Sequence, residues 1–153
     1  MSSKLTHADI AALIPHSGTM CLLAQLEAWD LQHIVCTATN HRDTGHPLRT
    51  RRGLLAPTAI EYAAQAMALH GALLAMPSLD TPRVGYLVSI RSTTLHAARL
   101  DDISADLLVE VRRITAGANN ILYEFNVSAS GRLLLDGRAA VVLDASALIL
   151  EKS

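Results

Sequence analysis

The side chains best suited to acid–base chemistry are one carboxyl group at the start of an apolar segment and two histidines that precede it. Glu61 begins this set, and Gln65 follows it four residues later. His16 comes directly after a proline, and His46 lies within a Gly-His-Pro sequence fifteen residues before Glu61. A neutral imidazole accepts a proton near pH 7, and a carboxyl group that stays protonated donates one. The set predicts general acid–base chemistry that needs no metal and no cofactor.

Each of these residues also has a purely structural interpretation. Residues 58–61 read Thr-Ala-Ile-Glu, a capping box in which Glu61 bonds back to the helix start and takes no part in chemistry. His46 fits a solvated loop histidine, and His16 fits a residue that bonds to backbone. Gln65 lies one helical turn after Glu61, so it either orients that carboxyl group or is a polar residue satisfied within the core.

The segment that must position Glu61 is residues 59–75, which we predict to be one long buried helix. Its only strongly polar side chains are Glu61, Gln65 and His70. A helix that is apolar nearly all round is buried. His70 lies nine residues beyond Glu61, which places it on the opposite helix face, so we expect a satisfied core or interface histidine.

The remaining patterns predict an α+β fold with a short capped helix and an antiparallel sheet. Thr6 and Asp9 have the spacing of an N-terminal cap, and Pro15 ends that helix. Strands are predicted over residues 20–29, 33–39, 84–98, 103–114, 121–129 and 132–143, and a polar loop over 40–53. The simplest arrangement is one domain over residues 1–153, in which one sheet wraps around one central helix.

Composition narrows the classes of function. The chain has 153 residues, of which 50% are hydrophobic and 18% charged, so it is not a disordered chain. A net charge of −1 offers no general attraction to nucleic acid or to a membrane surface. No signal peptide or membrane span is recognisable, and a cytoplasmic location is expected by default. Cys21 and Cys36 are too few for a disulfide framework or a zinc site, and we expect buried thiols.

Several motifs resemble the hot-dog 3-hydroxyacyl-ACP dehydratases of fatty-acid synthesis, the FabZ and FabA kind. Their order matches the order of the motifs in that family. The matching stretches are Ile14-Pro15-His16, Met20-Cys21-Leu22-Leu23, Gly45-His46-Pro47 and Glu61-Tyr62-Ala63-Ala64-Gln65-Ala66. The resemblance implies a hot-dog fold, in which an antiparallel sheet is wrapped around one long central helix.

The resemblance is closer to the small ApeP-like dehydratases of aryl polyene clusters, and it extends over nearly the whole chain. It is carried by His16-Ser17-Gly18-Thr19-Met20, Ile60-Glu61-Tyr62-Ala63-Ala64-Gln65-Ala66-Met67-Ala68, Leu95-His96-Ala97-Ala98-Arg99-Leu100-Asp101-Asp102 and the final hairpin, residues 131–139. The loop around His46 departs from the Gly-His-Phe-Pro-Gly sequence of the larger family. Both His46 and His16 are therefore carried forward as candidate bases, beside Glu61 as the acid.

The family implies dehydration of a 3-hydroxyacyl thioester on an acyl carrier protein to the trans-2-enoyl thioester. Backbone N–H groups at the junction from Gly53 to Thr58 are the expected donors to the thioester carbonyl. Arg49 and Arg52 are expected to bind the phosphopantetheine phosphate or the acidic carrier protein, and Gln65 to orient Glu61.

The resemblance also implies pairing with a second hot-dog subunit, either a copy of this chain or a related dehydratase. Two other functions stay open. One is an acyl thioesterase, in which an ionised carboxylate activates water. The other is a non-catalytic partner subunit of a heteromeric dehydratase.

Overall fold

The computed structural model describes residues 4–16, 18–75 and 86–142. Within these residues seven antiparallel strands form one sheet, in the spatial order β1-β2-β3-β5-β6-β7-β4. The strands are β1 Leu5–Thr6, β2 Gln25–Trp29, β3 His33–Ala38, β4 Tyr86–Leu95, β5 Leu107–Ala116, β6 Asn120–Ala129 and β7 Arg132–Val142. The helices are α1 His7–Leu13 and α2 Ala59–Ala75. The predicted α+β hot-dog arrangement is confirmed, with α2 packed against β3, β5 and β6.

The first helix begins and ends where its local sequence predicts. The Thr6 hydroxyl accepts from the Asp9 N–H at 3.3 Å, and the Asp9 carboxylate accepts from the Thr6 N–H at 3.0 Å. This reciprocal cap satisfies two donors that an uncapped helix would leave unpaired. The helix stops before Pro15, and Ile10 and Ile14 bury its apolar face.

The second helix matches the predicted segment, and its burial is uneven around the axis. Most of its side chains are buried among the sheet residues. A stripe that includes Glu61, Ala64 and Ala68 is half-buried instead. Residues three, four and seven apart share a helix face, so this stripe presents the carboxyl group beside small apolar side chains. Neither described helix combines the length and the apolar character that a bilayer crossing requires.

Strand boundaries follow the prediction at the C-terminal hairpin and depart from it at β2 and β5. Strands β6 and β7 correspond to the predicted runs 121–129 and 132–143, although residue 143 lies outside the described residues. The run predicted over 20–29 becomes a strand only at Gln25, because residues 18–20 form a 3₁₀ turn and Leu22 bonds to a side chain of α2. Strand β5 begins at Leu107, four residues later than predicted, because the Ile103 N–H closes a turn onto the Leu100 carbonyl at 3.0 Å. Residues 84 and 85 also lie outside the described part.

Three of the described histidines are buried, and each hydrogen-bonds within the core. His70 contacts the Tyr123 hydroxyl at 2.9 Å and the Asp30 carbonyl at 2.8 Å, as predicted for a satisfied core histidine. His41 belongs to the segment predicted as a polar loop, yet its side chain is buried and its Nε2 contacts the Ile103 carbonyl at 3.0 Å. Burial lowers the pKa of His41, His46 and His70.

Because these pKa values are lowered, the unfolded chain binds protons below about pH 6.5 that the folded chain does not. We therefore expect the free energy of unfolding, measured by urea denaturation, to decrease as the pH is lowered from about 7.5 to about 5.5. His70→Gln should reduce this pH dependence while lowering stability at pH 7.5. Stability that increases on acidification over the same range would contradict the role assigned to these buried rings.

Candidate active site

The first turn of α2 and the segment after α1 bring His16 and Glu61 together. The Nε2 atom of His16 lies 3.2 Å from Oε1 of Glu61, and the two side chains are 28% and 36% exposed. They line a cavity of about 160 Å³ whose other walls are mainly apolar, formed by Pro15, Ala64, Met67, Ala68 and Val141. An imidazole and a carboxyl group at this distance can exchange a proton with each other, and both can do so with a substrate that separates them.

The side chain of Gln65 connects Glu61 to the segment that follows His16. Its side chain is fully buried, and its Oε1 accepts from the Leu22 N–H at 2.8 Å. Its Nε2 donates to the Met20 carbonyl at 2.8 Å and approaches Oε1 of Glu61 at 3.4 Å. Gln65 is therefore a polar residue whose hydrogen bonds are satisfied within the core, and it also contacts the Glu61 carboxyl group. The segment after His16 is thereby tied to the helix that carries Glu61.

Gln65→Leu keeps the side-chain volume and removes these three hydrogen bonds. The Leu22 N–H and the Met20 carbonyl would stay buried without partners, and each such group costs about 1–3 kcal/mol. We expect the free energy of unfolding, measured by urea denaturation, to decrease by about 3 kcal/mol. Gln32→Leu, at an exposed turn, is the control and should change stability by less than about 0.5 kcal/mol. Equal stability of both variants would show that Gln65 does not hold the segment.

The sequence Thr58-Ala59-Ile60-Glu61 does not form the capping box that it predicts. Residues 56–58 form a 3₁₀ turn that leads directly into α2, and the Thr58 N–H donates to the Leu55 carbonyl at 3.0 Å. The donor that Glu61 would satisfy is therefore already paired. The Glu61 carboxylate turns instead toward His16 and Gln65.

His46 lies in a different cavity, and both of its ring nitrogens are engaged within the chain. Its Nδ1 accepts from the Leu48 N–H at 3.0 Å, which assigns the ring proton to Nε2. Nε2 then donates to the Tyr62 hydroxyl at 3.0 Å, and that hydroxyl donates to Oδ1 of Asn40 at 2.6 Å. The cavity beside it, of about 450 Å³, is lined by neither His16 nor Glu61. Within one chain, the structure joins His16 to Glu61 and separates His46 from both.

The junction before α2 keeps most of its N–H groups for its own fold. The Gly53 N–H donates to the Thr50 carbonyl, the Leu54 N–H to the Asp101 carboxylate, and the Ala56 N–H to the Ala98 carbonyl, each at 3.0 Å. Thr58 is paired as described above, and residue 57 is a proline. Among the described residues this leaves the Leu55 N–H as the free donor of the junction.

The two arginines predicted to bind substrate differ in what surrounds them. Arg49 lies 3.4 Å from the Asp101 carboxylate and is 26% exposed, so its charge is largely matched within the chain. The Arg52 side chain is exposed and has no acidic partner in the part of the chain that the structure describes. Arg51 belongs to the same cluster of loop arginines and is exposed beside Arg52 at the tip of the same turn.

Sequence reasoning overlooked three residues that organise the site. Tyr62 and Asn40 complete the chain of hydrogen bonds from His46, and nothing in a single sequence marks this pairing. Asp101 accepts a hydrogen bond from Arg99, two residues before it. The spacing of these opposite charges in the sequence was the available signal for this contact. Across the described ranges, no three His, Cys, Asp or Glu side chains are grouped so that they could hold a metal ion.

Comparison with known proteins gives one family match and several structural matches. The model of the ApeP-like family, described as ApeP dehydratase, matches residues 8–149. The dehydratase heterocomplex ApeI:P from Xenorhabdus doucetiae contains a chain that superposes with a TM-score of 0.80 at 21% identity, covering 93% of this chain and 95% of that chain. A search of curated protein sequences found no match.

Other solved structures share the fold at lower similarity. A thioesterase from Haemophilus influenzae has a TM-score of 0.63 at 15% identity, and 92% of each chain is covered. AziG from S. sahachiroi has a TM-score of 0.57 at 16% identity, covering 77% of this chain and 88% of that chain. At these identities the structural matches establish a common fold.

Proposed function

This chain belongs to the ApeP-like dehydratase family, and on that premise we propose that it removes water from a 3-hydroxyacyl thioester carried on an acyl carrier protein, in aryl polyene synthesis. The product is the trans-2-enoyl thioester, and the chain acts as one domain over residues 1–153. The observation that carries the proposal is the 3.2 Å contact between His16 and Glu61 in a cavity whose other walls are mainly apolar.

In the proposed mechanism the substrate enters between the two side chains. His16 accepts the proton from carbon 2, and protonated Glu61 donates its proton to the 3-hydroxyl group, which leaves as water. The two residues then regain contact, and the proton returns from the imidazole to the carboxylate, so that the pair is reset. Negative charge that develops on the thioester carbonyl is stabilised by a backbone donor, for which the Leu55 N–H is the available group of the junction.

The carrier protein is proposed to meet the turn at residues 50–53. Arg52 presents an unmatched positive charge there, and carrier proteins of this chemistry are acidic, so the attraction is electrostatic. Arg49 contributes less directly, because Asp101 already opposes its charge. Gly53, with its φ of 97°, allows the sharp turn that places these arginines before α2.

We further propose that a second hot-dog subunit completes the site. The half-buried stripe of α2 around Glu61 consists of small side chains such as Ala64 and Ala68, which allow close approach of another chain. A chain with the same fold occurs in the ApeI:P dehydratase heterocomplex, which supports a related rather than an identical partner. In such an assembly His46 of one subunit would remain a candidate base for the carboxyl group of the other.

One experiment separates the functions that the fold allows. The protein is incubated with a 3-hydroxyacyl-ACP, alone and together with a second hot-dog dehydratase of the kind present in the ApeI:P heterocomplex, and the mass of the acyl chain is followed. A loss of 18 Da, the mass of one water, supports dehydration. Release of free acid would instead establish the thioesterase function, for which the thioesterase neighbours of the same fold are the specific observation. No change with this chain alone, but activity in the pair, would identify a partner subunit.

A further inference from the structure

The charged side chain of Asp101 is almost fully buried, directly beside the junction that leads into α2. Its side chain is 4% exposed. The Leu54 N–H donates to Oδ1 at 3.0 Å, and Nε of Arg99 donates to the same oxygen at 3.1 Å. Nη2 of Arg49 lies 3.4 Å from Oδ2. The Asp101 carboxylate therefore contacts the Leu54 N–H of the junction and the guanidinium groups of Arg49 and Arg99.

The turn that precedes the junction packs against this carboxylate without room for a side chain. Thr50 and Gly53 exchange two backbone hydrogen bonds of 3.0 Å, so residues 51 and 52 form the tip of a tight turn. Gly53 has a φ of 97°, and a Cβ atom built there would lie 2.5 Å from Oδ2 of Asp101. The carboxylate thus fixes the base of the turn whose tip carries Arg51 and Arg52.

The segment after the turn is held by the same region of the chain. The Leu100 N–H donates to the Leu54 carbonyl at 2.7 Å, and the Ala56 N–H donates to the Ala98 carbonyl at 3.0 Å. Residues 54–56 therefore pair with residues 98–100, immediately before Asp101. The segment before α2 is thus held by backbone pairs of its own, and the Asp101 carboxylate adds the contact with the arginine turn.

We propose that Asp101 is a positioning residue, which holds the turn at residues 50–53 in the orientation that receives the acyl carrier protein. This inference rests on the proposed function, because it concerns binding of the same substrate. The Arg99 guanidinium and the Leu54 N–H hold the pKa of Asp101 well below its usual range, so this carboxylate stays ionised at neutral pH.

A positioning role and a simple charge effect predict opposite changes. Asp101 is negative, and so is the carrier protein. If charge alone mattered, removing Asp101 would strengthen binding of the carrier and lower the KM. If the carboxylate positions the turn, its loss weakens binding although the surface becomes more positive.

The test uses Asp101→Asn, Asp101→Glu and the control Asp102→Asn in the complete dehydratase. Asp101→Glu keeps the charge and displaces the carboxylate, whereas Asp102→Asn removes a charge from an exposed neighbour. We expect both Asp101 variants to raise the KM for 3-hydroxyacyl-ACP by about 5–10-fold, about 1–1.4 kcal/mol. The kcat for a carrier-free N-acetylcysteamine thioester should stay within about twofold. Asp102→Asn should leave the KM unchanged or lower it.

Binding of the holo carrier protein to each variant, measured by fluorescence anisotropy, keeps this test independent of turnover. If the wild type binds the carrier but does not dehydrate, the proposed function fails, and weaker binding by Asp101→Glu still supports the positioning role. Circular dichroism and thermal unfolding identify a variant that has lost its fold, and in that event the folded Asp101 variant decides the result. A KM and a carrier affinity equal to wild type in Asp101→Glu, or a lower KM in Asp101→Asn, would overturn the inference.

Discussion

Glu61→Gln is expected to reduce kcat for dehydration by about 10²- to 10⁴-fold, the range typical of a general acid–base residue. The amide keeps the shape and the hydrogen-bonding reach of the carboxyl group, but it cannot donate an acidic proton to the departing hydroxyl group. Because Glu61 is 36% exposed and carries little of the packing, the midpoint of thermal unfolding should change by only a few degrees. Single-turnover kinetics with 3-hydroxyacyl-ACP, followed by mass spectrometry, measure the effect.

The chain offers a matched control for this variant. Glu110 lies 3.7 Å from Nε2 of His33, and these side chains are 37% and 38% exposed, close to the values for Glu61 and His16. Glu110→Gln should therefore have wild-type activity. Full turnover by Glu61→Gln would remove the acid from the mechanism, and an equal loss in both variants would point to a general effect of charge.

His16→Ala should reduce kcat by about 10²-fold or more, while His46→Ala should chiefly reduce stability. His16 faces the carboxyl group and is partly open to the cavity, so its imidazole is available to substrate. Loss of His46 leaves the Leu48 N–H without its partner and the Tyr62 hydroxyl with Asn40 alone, which should lower the free energy of unfolding by about 2 kcal/mol. Activity assays and urea denaturation of both variants make the comparison.

The opposite ranking would reassign the base. If His46→Ala keeps its stability and loses activity in the assembled dehydratase, His46 acts on a carboxyl group of the second subunit. His33→Ala, which removes an imidazole of similar exposure, is the control and should retain full activity. Tyr62→Phe further separates the two roles, because it removes the hydrogen-bond partner of His46 and leaves the ring in place.

The sequence by itself determined the elements whose signals are local. The sequence predicts the central helix over residues 59–75, the range that the structure shows, because a helix that is apolar nearly all round is buried. The reciprocal cap of α1 and the strands of the final hairpin were equally predictable. The order of its motifs also identified the family, which the match over residues 8–149 confirms.

The tertiary structure decided how these elements share their polar groups. Thr58 and Glu61 have the spacing of a capping box, yet the preceding turn takes the Thr58 N–H and frees Glu61 for His16, forty-five residues away. His46 likewise bonds to Tyr62, sixteen residues away in the sequence, and Asp101 bonds to Leu54, forty-seven residues away. Such pairings depend on which donors and acceptors the fold buries side by side. The residue types of neighbours in the sequence do not indicate these pairings, because burial sets the strength of each hydrogen bond only after the chain has folded.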